Sequence, residues 1–180
     1  MVKAIRVHEV GGPEQMRFED VEVGDPGPGE IRIRHTVIGL NYIDVYHRSG
    51  LYPMPGPFGV GMEGAAVVEA IGDGVTEVAV GDRVAYAAPP PGSYCEARNF
   101  PAAQLVKVPD SVSDETAAAM MLKGMTVEYL AHRTFEAKAG QTVLFHAAAG
   151  GVGLSAGQWF KALGGRAIGT AGGPENCELA

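Results

Sequence analysis

Polar and apolar positions alternate along residues 3–8 and again along 30–36, where Ile31 and Ile33 are separated by Arg32 and Arg34. A period of two marks a strand with one wet face. Further strands are predicted over 16–23, over the mostly apolar run 63–71, over 81–86 behind a glycine turn, and over 93–99. Turn residues separate these runs: Gly11, Gly12 and Pro13; the cluster 24–29; Gly72, Asp73 and Gly74; Pro89 to Gly92. Residues 41–49 break the alternation and read as a short helix closed by Gly50. Short, regularly spaced strands with glycine punctuation predict a partly closed β-barrel.

The pattern changes near Pro109. Ser113 is a candidate N-cap, with Asp114 and Glu115 in the first turn, where a helix dipole favours negative charge. Helices are predicted over 116–122 and 126–133, with Gly124 between them. Residues 141–147 are predicted as a strand whose centre, Val143-Leu144-Phe145, is apolar on both faces, as in a buried parallel strand. A helix over 151–163 and a second short strand over 167–170 follow. The whole is a mixed α/β chain. Its first domain is expected over 1–122 and the start of a second over 123–180. No repeat or low-complexity segment interrupts it.

Composition narrows the function classes. Hydrophobic residues make up 46% of the 180 and charged residues 19%, an ordinary globular balance. The net charge of −7 carries no basic footprint for nucleic acid. Two cysteines, Cys95 and Cys177, give no disulfide framework, and a reducing cytoplasm is expected. The N-terminus lacks the apolar core of a signal peptide, and no apolar run is long enough to span a bilayer without glycine interruption.

The candidate chemistry sits at 142–170. A strand, the run Ala148-Ala149-Gly150-Gly151-Val152-Gly153, a helix and a second strand follow in the order that a dinucleotide pyrophosphate requires. Gly150 would let the backbone approach the phosphates at a helix N-terminus, and Gly153 would allow close helix–strand packing. The same glycines also suit a plain structural turn. An NAD site usually places an acid at the end of the second strand. Here residues 169–173 are Gly-Thr-Ala-Gly-Gly, with no acid before Glu175, which favours NADP(H). Only ten residues follow Thr170. A doubly wound sheet needs more strands, so this is expected to be the front part of a longer enzyme.

Several segments, spread along the chain and in order, resemble the quinone oxidoreductase (zeta-crystallin-like) branch of the zinc-independent medium-chain dehydrogenase/reductases. They are Gly11-Gly12-Pro13-Glu14, Asn41-Tyr42-Ile43-Asp44-Val45-Tyr46, residues 48–53, Gly59-Val60-Gly61-Met62-Glu63-Gly64, Gly81-Asp82-Arg83-Val84, Lys123-Gly124-Met125-Thr126 and residues 147–153. The resemblance implies a chaperonin-10-like (GroES-like) barrel with the substrate site, then the start of a Rossmann doubly wound sheet with the cofactor. It implies NADPH-dependent hydride transfer to a quinone or conjugated enone, and a homodimer of the complete chain. An enoyl or alkenal reductase, or a non-catalytic binding protein on the same fold, are the competing readings.

By the same resemblance, Asn41, Tyr46 and Tyr52 line the nicotinamide and acceptor pocket, and Tyr46 or the Asn41 amide donates to the oxygen that gains charge. Tyr42, Tyr46, Lys123, Thr126 and Tyr129 are the expected cofactor contacts nearby. Gly150, Gly151, Val152 and Gly153 serve the phosphates. Thr170, Gly172, Gly173 and Asn176 flank the adenosine ribose, with Asn176 where a basic residue would suit a 2′-phosphate. Asp44 is expected to terminate the helix rather than act as a base. No metal is expected. The family's zinc cysteine falls at Asn41, its His-Glu pair reads Met62-Glu63, and the region of its cysteine-rich lobe, residues 87–93, has no cysteine. Asparagine and methionine are poor ligands for zinc. The histidines His8, His35, His47, His132 and His146 show no H-x-x-x-H spacing.

Overall fold

A computed structural model describes all residues from 1 to 180. The chain divides into two compact units, Met1–Met121 and Leu122–Ala180. The first holds strands β1 (Val2–Val7), β2 (Met16–Val21), β3 (Glu30–Gly39), β4 (Phe58–Gly59), β5 (Glu63–Ile71), β6 (Arg83–Ala87), β7 (Ala97–Pro101) and β8 (Val106–Lys107), with helix α1 (Tyr42–Ser49) after β3. Helix α2 (Asp114–Glu128) contains the boundary. The second unit continues with a π-helical turn (Tyr129–Thr134), β9 (Thr142–Phe145), α3 (Gly151–Ala162), β10 (Arg166–Gly169) and α4 (Pro174–Leu179).

Two antiparallel sheets build the barrel, ordered β2-β1-β4 and β7-β3-β5-β6-β8. The segment ahead of β7 joins them. Ala4 bridges to Cys95, the Ile5 amide donates to the Tyr94 carbonyl at 2.7 Å, and the Glu96 amide donates to the Lys3 carbonyl at 2.9 Å. β7 begins at Ala97 and not at residue 93 as the pattern suggests, because residues 93–96 divide their backbone hydrogen bonds between β1, the segment Val60–Gly61 and His35 of β3. Strand β3 pairs with β7 along its first half and with β5 along its whole length, and its register shifts at Arg32/Ile33 and His35/Val37. Such bulges bend a strand and increase its twist, which a closing sheet requires.

The alternation of β3 sorts its side chains as predicted. Ile31 and Ile33 are fully buried, while Arg32 and Arg34 face outward and pair with Asp25 and Glu69. Ile31 and Ile33 meet Val68, Val84, Tyr86 and Phe100 in the main core, where the Tyr86 and Phe100 rings lie 4.2 Å apart. Burying each such side chain contributes about 1.5–3 kcal/mol.

Helix α2 corrects the expected break at Gly124, because residues 114–128 form one helix. A single glycine costs about 1 kcal/mol in a helix interior, too little to stop a run flanked by Met120, Met121, Leu122, Met125 and Val127. Ser113 caps it, its Oγ accepting the Thr116 amide at 3.2 Å. The expected fully buried strand at 141–147 is also corrected. Strand β9 has its Val143 and Phe145 turned to a small core with Val127, Ala131, Ala156 and Phe160, while Leu144 is 62% exposed. The reason is coverage: β9 and parallel β10 form a two-stranded sheet, and within this unit the other face of β9 is bare. Helix α4 and the short strands β4 and β8 were not anticipated; two-residue strands leave no period to read.

Candidate functional site

In the first unit the site residues gather around α1. Asn41 is its N-cap residue and Gly50, with φ of 83°, closes it in the left-handed conformation that only glycine adopts at no cost. Asp44, in the first turn, accepts the Asn41 amide through Oδ2 at 3.0 Å, and Tyr94 donates its hydroxyl to the same oxygen at 2.9 Å. The carboxyl is pushed above its usual range chiefly by burial. The Asn41 amide, the Tyr94 hydroxyl and the nearby His47 oppose that rise, and Glu63 adds to it. Asp44 therefore anchors the helix start. Asn41 donates from Nδ2 to Glu63 Oε2 at 2.6 Å, and both residues are buried. The close fit extends to Gly39, where any Cβ would stand 2.4 Å from Glu63 Oε2.

The three expected tyrosines form a ladder. Tyr42 and Tyr46 make an edge-on contact with centroids 5.3 Å apart, and Tyr46 and Tyr52 are also 5.3 Å apart. Tyr42 and Tyr46 are four apart on a helix and so share a face. The Tyr52 amide donates to the Tyr46 carbonyl at 3.1 Å, which fixes the third ring. Tyr42 and Tyr52 are exposed. The structure thus brings Tyr42, Tyr46 and Tyr52 together, and joins Asn41 to Glu63, Asp44 and Tyr94 in a polar cluster.

In the second unit the glycine turn has the geometry of a cradle. Ala147 adopts φ of 54°, the only non-glycine residue with positive φ. The Gly150 amide donates to the Ala147 carbonyl at 2.9 Å, and the Gly150 carbonyl receives the Leu154 amide at 2.9 Å. The outward donors are then the amides of Gly151, Val152 and Gly153 in the first turn of α3, and the Gly150 N–H is not among them. A Cβ at Gly153 would stand 2.4 Å from the Ala147 oxygen, so the helix approaches the turn too closely for any other residue. A Cβ at Gly151 would meet the Lys123 side chain at 2.8 Å, which places the Lys123 stem across this turn.

Residues 27–110 match the family described as alcohol dehydrogenase GroES-like domain. The whole chain is 54% identical over 181 residues to a quinone oxidoreductase of Pseudomonas aeruginosa, covering 56% of that protein. It is 47% identical to a 2-haloacrylate reductase of a Burkholderia species, again over 100% of this chain and 56% of the relative. The structure of the Escherichia coli quinone oxidoreductase complexed with NADPH superposes on 98% of this chain and 55% of its own, with a TM-score of 0.96 at 45% identity. Along its whole length the chain is similar to the quinone oxidoreductase branch of the medium-chain dehydrogenase/reductases. It spans about 56% of the length of the curated relatives it matches.

The Thr126 hydroxyl donates to the Leu122 carbonyl of its own helix at 2.7 Å, so its hydrogen is already spent. Tyr129 opens the π-helical turn and is exposed. Thr170 shares a hydrogen bond of 3.0 Å with His146 Nδ1, and the Ala148 amide donates to its carbonyl, which ties the end of β10 to the glycine turn. Asn176 donates to the Gly172 carbonyl at 2.7 Å, and Gly173, with φ of 84°, starts α4. No group of three or more His, Cys, Asp or Glu side chains lies at a spacing that would hold a metal ion. No helix is long and apolar enough to cross a membrane.

Sequence reasoning gave Glu63 and Tyr94 no part in the site. Glu63 did carry a signal, as an acid heading a mostly apolar strand whose other acid, Glu69, pairs outward with Arg34. Tyr94 carried none, since its partner Asp44 is 50 positions away.

Proposed function

We propose that this chain carries the substrate-side barrel and the first cofactor-binding elements of an NADPH-dependent oxidoreductase that transfers hydride to a quinone or conjugated enone without zinc. The observation that carries this reading is the turn at 147–153. A positive-φ alanine, a glycine N-cap and a glycine with no room for a Cβ expose three first-turn amides to an anion. A plain connection between a strand and a helix needs none of these. The NADPH in the E. coli relative's structure supports the same reading.

NADPH supplies the hydride when bound; position and electrostatics fall to the protein. The amides of Gly151, Val152 and Gly153 hold the diphosphate. Thr170, Gly172 and Gly173 flank the adenosine ribose, with Asn176 following. No carboxylate ends β10, which leaves room for a 2′-phosphate and favours NADPH over NADH. Lys123, Thr126 and Tyr129 serve the nicotinamide side, with Tyr42 beside them in role. Asn41, its amide oriented by Glu63, and Tyr46 address the acceptor, and Tyr46 donates a hydrogen bond to the oxygen that gains charge. Tyr52 supports Tyr46 through their ring contact. An acceptor already electrophilic needs no Lewis acid, which suits a site with Asn41 and Met62 where zinc ligands would stand.

The relation to a 2-haloacrylate reductase favours a second reading, in which conjugated alkenoates are the substrate. NADPH consumption, measured with 1,4-benzoquinone and with a 2-alkenoate side by side, separates the two. We expect faster turnover with the quinone, and Tyr46→Phe to lower it about 100-fold, the loss of one hydrogen bond to the oxygen that gains charge. Undiminished quinone turnover in Tyr46→Phe would remove Tyr46 from the mechanism. NADH binding as tightly as NADPH in a fluorescence titration would overturn the cofactor preference. We assign the protein to the cytoplasm on its two free cysteines and to a homodimer by its resemblance to that branch, and sedimentation tests the latter.

A further inference from the structure

Between the two barrel sheets lies a cavity of about 320 Å³ lined by strand β1, the loop after β2 and the segment leading into β7. Two guanidinium groups line it, those of Arg6 and Arg98. Each spends one nitrogen on a backbone carbonyl: Arg6 Nη2 donates to Pro57 at 2.7 Å, and Arg98 Nη2 donates to Pro90 at 2.9 Å. Neither has a carboxylate partner, although Lys3, Arg32, Arg34, Arg83 and Lys107 of the same unit all do. Arg6 Nε and Arg98 Nη1 are enclosed and make no hydrogen bond of good geometry, although the Arg98 guanidinium lies close enough to the Tyr86 hydroxyl to pull its pKa lower. Arg32 Nε and Arg48 Nε are enclosed in the same way; what sets Arg6 and Arg98 apart is that both line one cavity with no carboxylate paired to either, where an unpaired charged donor is costly and a bound ion would satisfy both.

The surroundings increase the demand for an anion. Arg6 stands directly opposite Arg17 in the β1–β2 register, a like-charge pair that a nearby negative charge would relieve. The Arg98 guanidinium lies 4.9 Å from the centre of the buried Phe100 ring, on the low-dielectric side of the barrel. Its charge reaches three neighbours. Burial drives His35 down to about 4 and Cys95 up to about 11 and raises Tyr86, and in each case Arg98 pulls the value lower. One opposing charge is present: Glu22 also lines the cavity, from its exposed side.

One acceptor narrows the ligand. Asn99 lines the cavity and donates from Nδ2 to the carbonyls of Gly24 and Asp25, while its Oδ1 is enclosed and receives nothing. A ligand that satisfies this set needs acceptor oxygens for the arginines and one hydroxyl for Asn99. Hydrogen phosphate has both; sulfate and chloride lack the hydroxyl at neutral pH. We propose that the cavity lined by Arg6, Arg98 and Asn99 is a binding site for hydrogen phosphate, separate from the residues that would hold the cofactor.

The test is thermal unfolding of the protein at pH 7 with NADPH saturating, so that the proposed diphosphate donors at 151–153 are occupied, at ionic strength held constant with sodium chloride. Phosphate is expected to raise the midpoint along a saturating curve, with sulfate at least tenfold weaker. Arg6→Gln, which loses only the bond to Pro57, is expected to shift the phosphate curve at least tenfold to higher concentration with NADPH turnover unchanged. Arg98→Lys, which keeps the charge and loses the fork, should do the same and guards against a folding defect in one variant. Phosphate and chloride curves that superimpose would overturn the site. So would variants that titrate like the parent, since the ion would then lie elsewhere, and sulfate equal to phosphate would overturn the assignment through Asn99.

Discussion

The two units of this chain carry their candidate residues on unequal foundations. The barrel unit closes around a core in which Ile31, Ile33, Val84, Tyr86 and Phe100 are fully buried. In the second unit every residue of β10 is exposed, and Leu144 of β9 looks outward. Yet the glycine turn that carries the cofactor reading belongs to this less covered unit. A phosphate cradle is fixed by neighbouring backbone, through one positive φ, one cap and one close approach. The tyrosine ladder and the Asn41–Glu63 contact need a finished barrel beneath them.

Breaking the barrel core gives the largest expected effect. Phe100→Ala removes a fully buried ring in tilted contact with Tyr86 and should cost about 3–5 kcal/mol by denaturant unfolding. A cost below 1 kcal/mol would mean the barrel is not the better-founded unit.

Acid tests the same core next. His35 donates from Nδ1 to the Cys95 carbonyl at 2.8 Å and accepts from the Tyr86 hydroxyl at 2.7 Å, so a neutral ring satisfies both partners. Burial first, with Arg98 adding to it, depresses its pKa to about 4 from 6.5, and the bond to the Cys95 carbonyl opposes the shift. The unfolded state then binds more protons between these values. Stability from this residue is full above pH 6.5 and is lost as pH falls toward 4, on the order of 3 kcal/mol. The raised Asp44 runs the other way and offsets part of this. Denaturation midpoints at pH 7 and 4.5 measure the slope, and His35→Gln should flatten it.

Gly153→Ala tests the cradle. Its Cβ would stand 2.4 Å from the Ala147 oxygen and 2.6 Å from Ala148 Cα, so turn and helix must separate, at about 1–3 kcal/mol. NADPH affinity by fluorescence should fall at least tenfold while the barrel unfolds as before. Leu144→Ser gives the smallest effect. At 62% exposure it should change stability by less than about 0.5 kcal/mol, and a larger loss would show that the outer face of β9 is covered in the protein.

Local patterns were readable from the chain wherever the cause was local. The period of two placed Ile31 and Ile33 inside, Gly50 closed α1, Ser113 capped α2, and the spacing of Gly150 and Gly153 located the turn. Legibility failed where distant residues competed. The tendency of Gly124 to break a helix lost to the helix formers around it. Residues 93–96 look like the start of β7, but their hydrogen bonds are divided between β1, Val60, Gly61 and β3. The strand at 141–147, apolar at its centre, reads as buried on both faces, although the chain supplies cover for only one.

The sequence by itself determined where backbone must turn, which faces of strands are apolar, and that the end of β10 lacks an acid, because propensity and periodicity are properties of neighbours. Only the tertiary structure decided that Asn41 gives its amide hydrogen to Glu63, 22 positions on, that Tyr94 reaches Asp44, and that Arg6 and Arg98 share a cavity. These pairings arise when β-sheets bring remote segments to hydrogen-bonding distance, and no local pattern encodes the distance between residues that only folding makes adjacent.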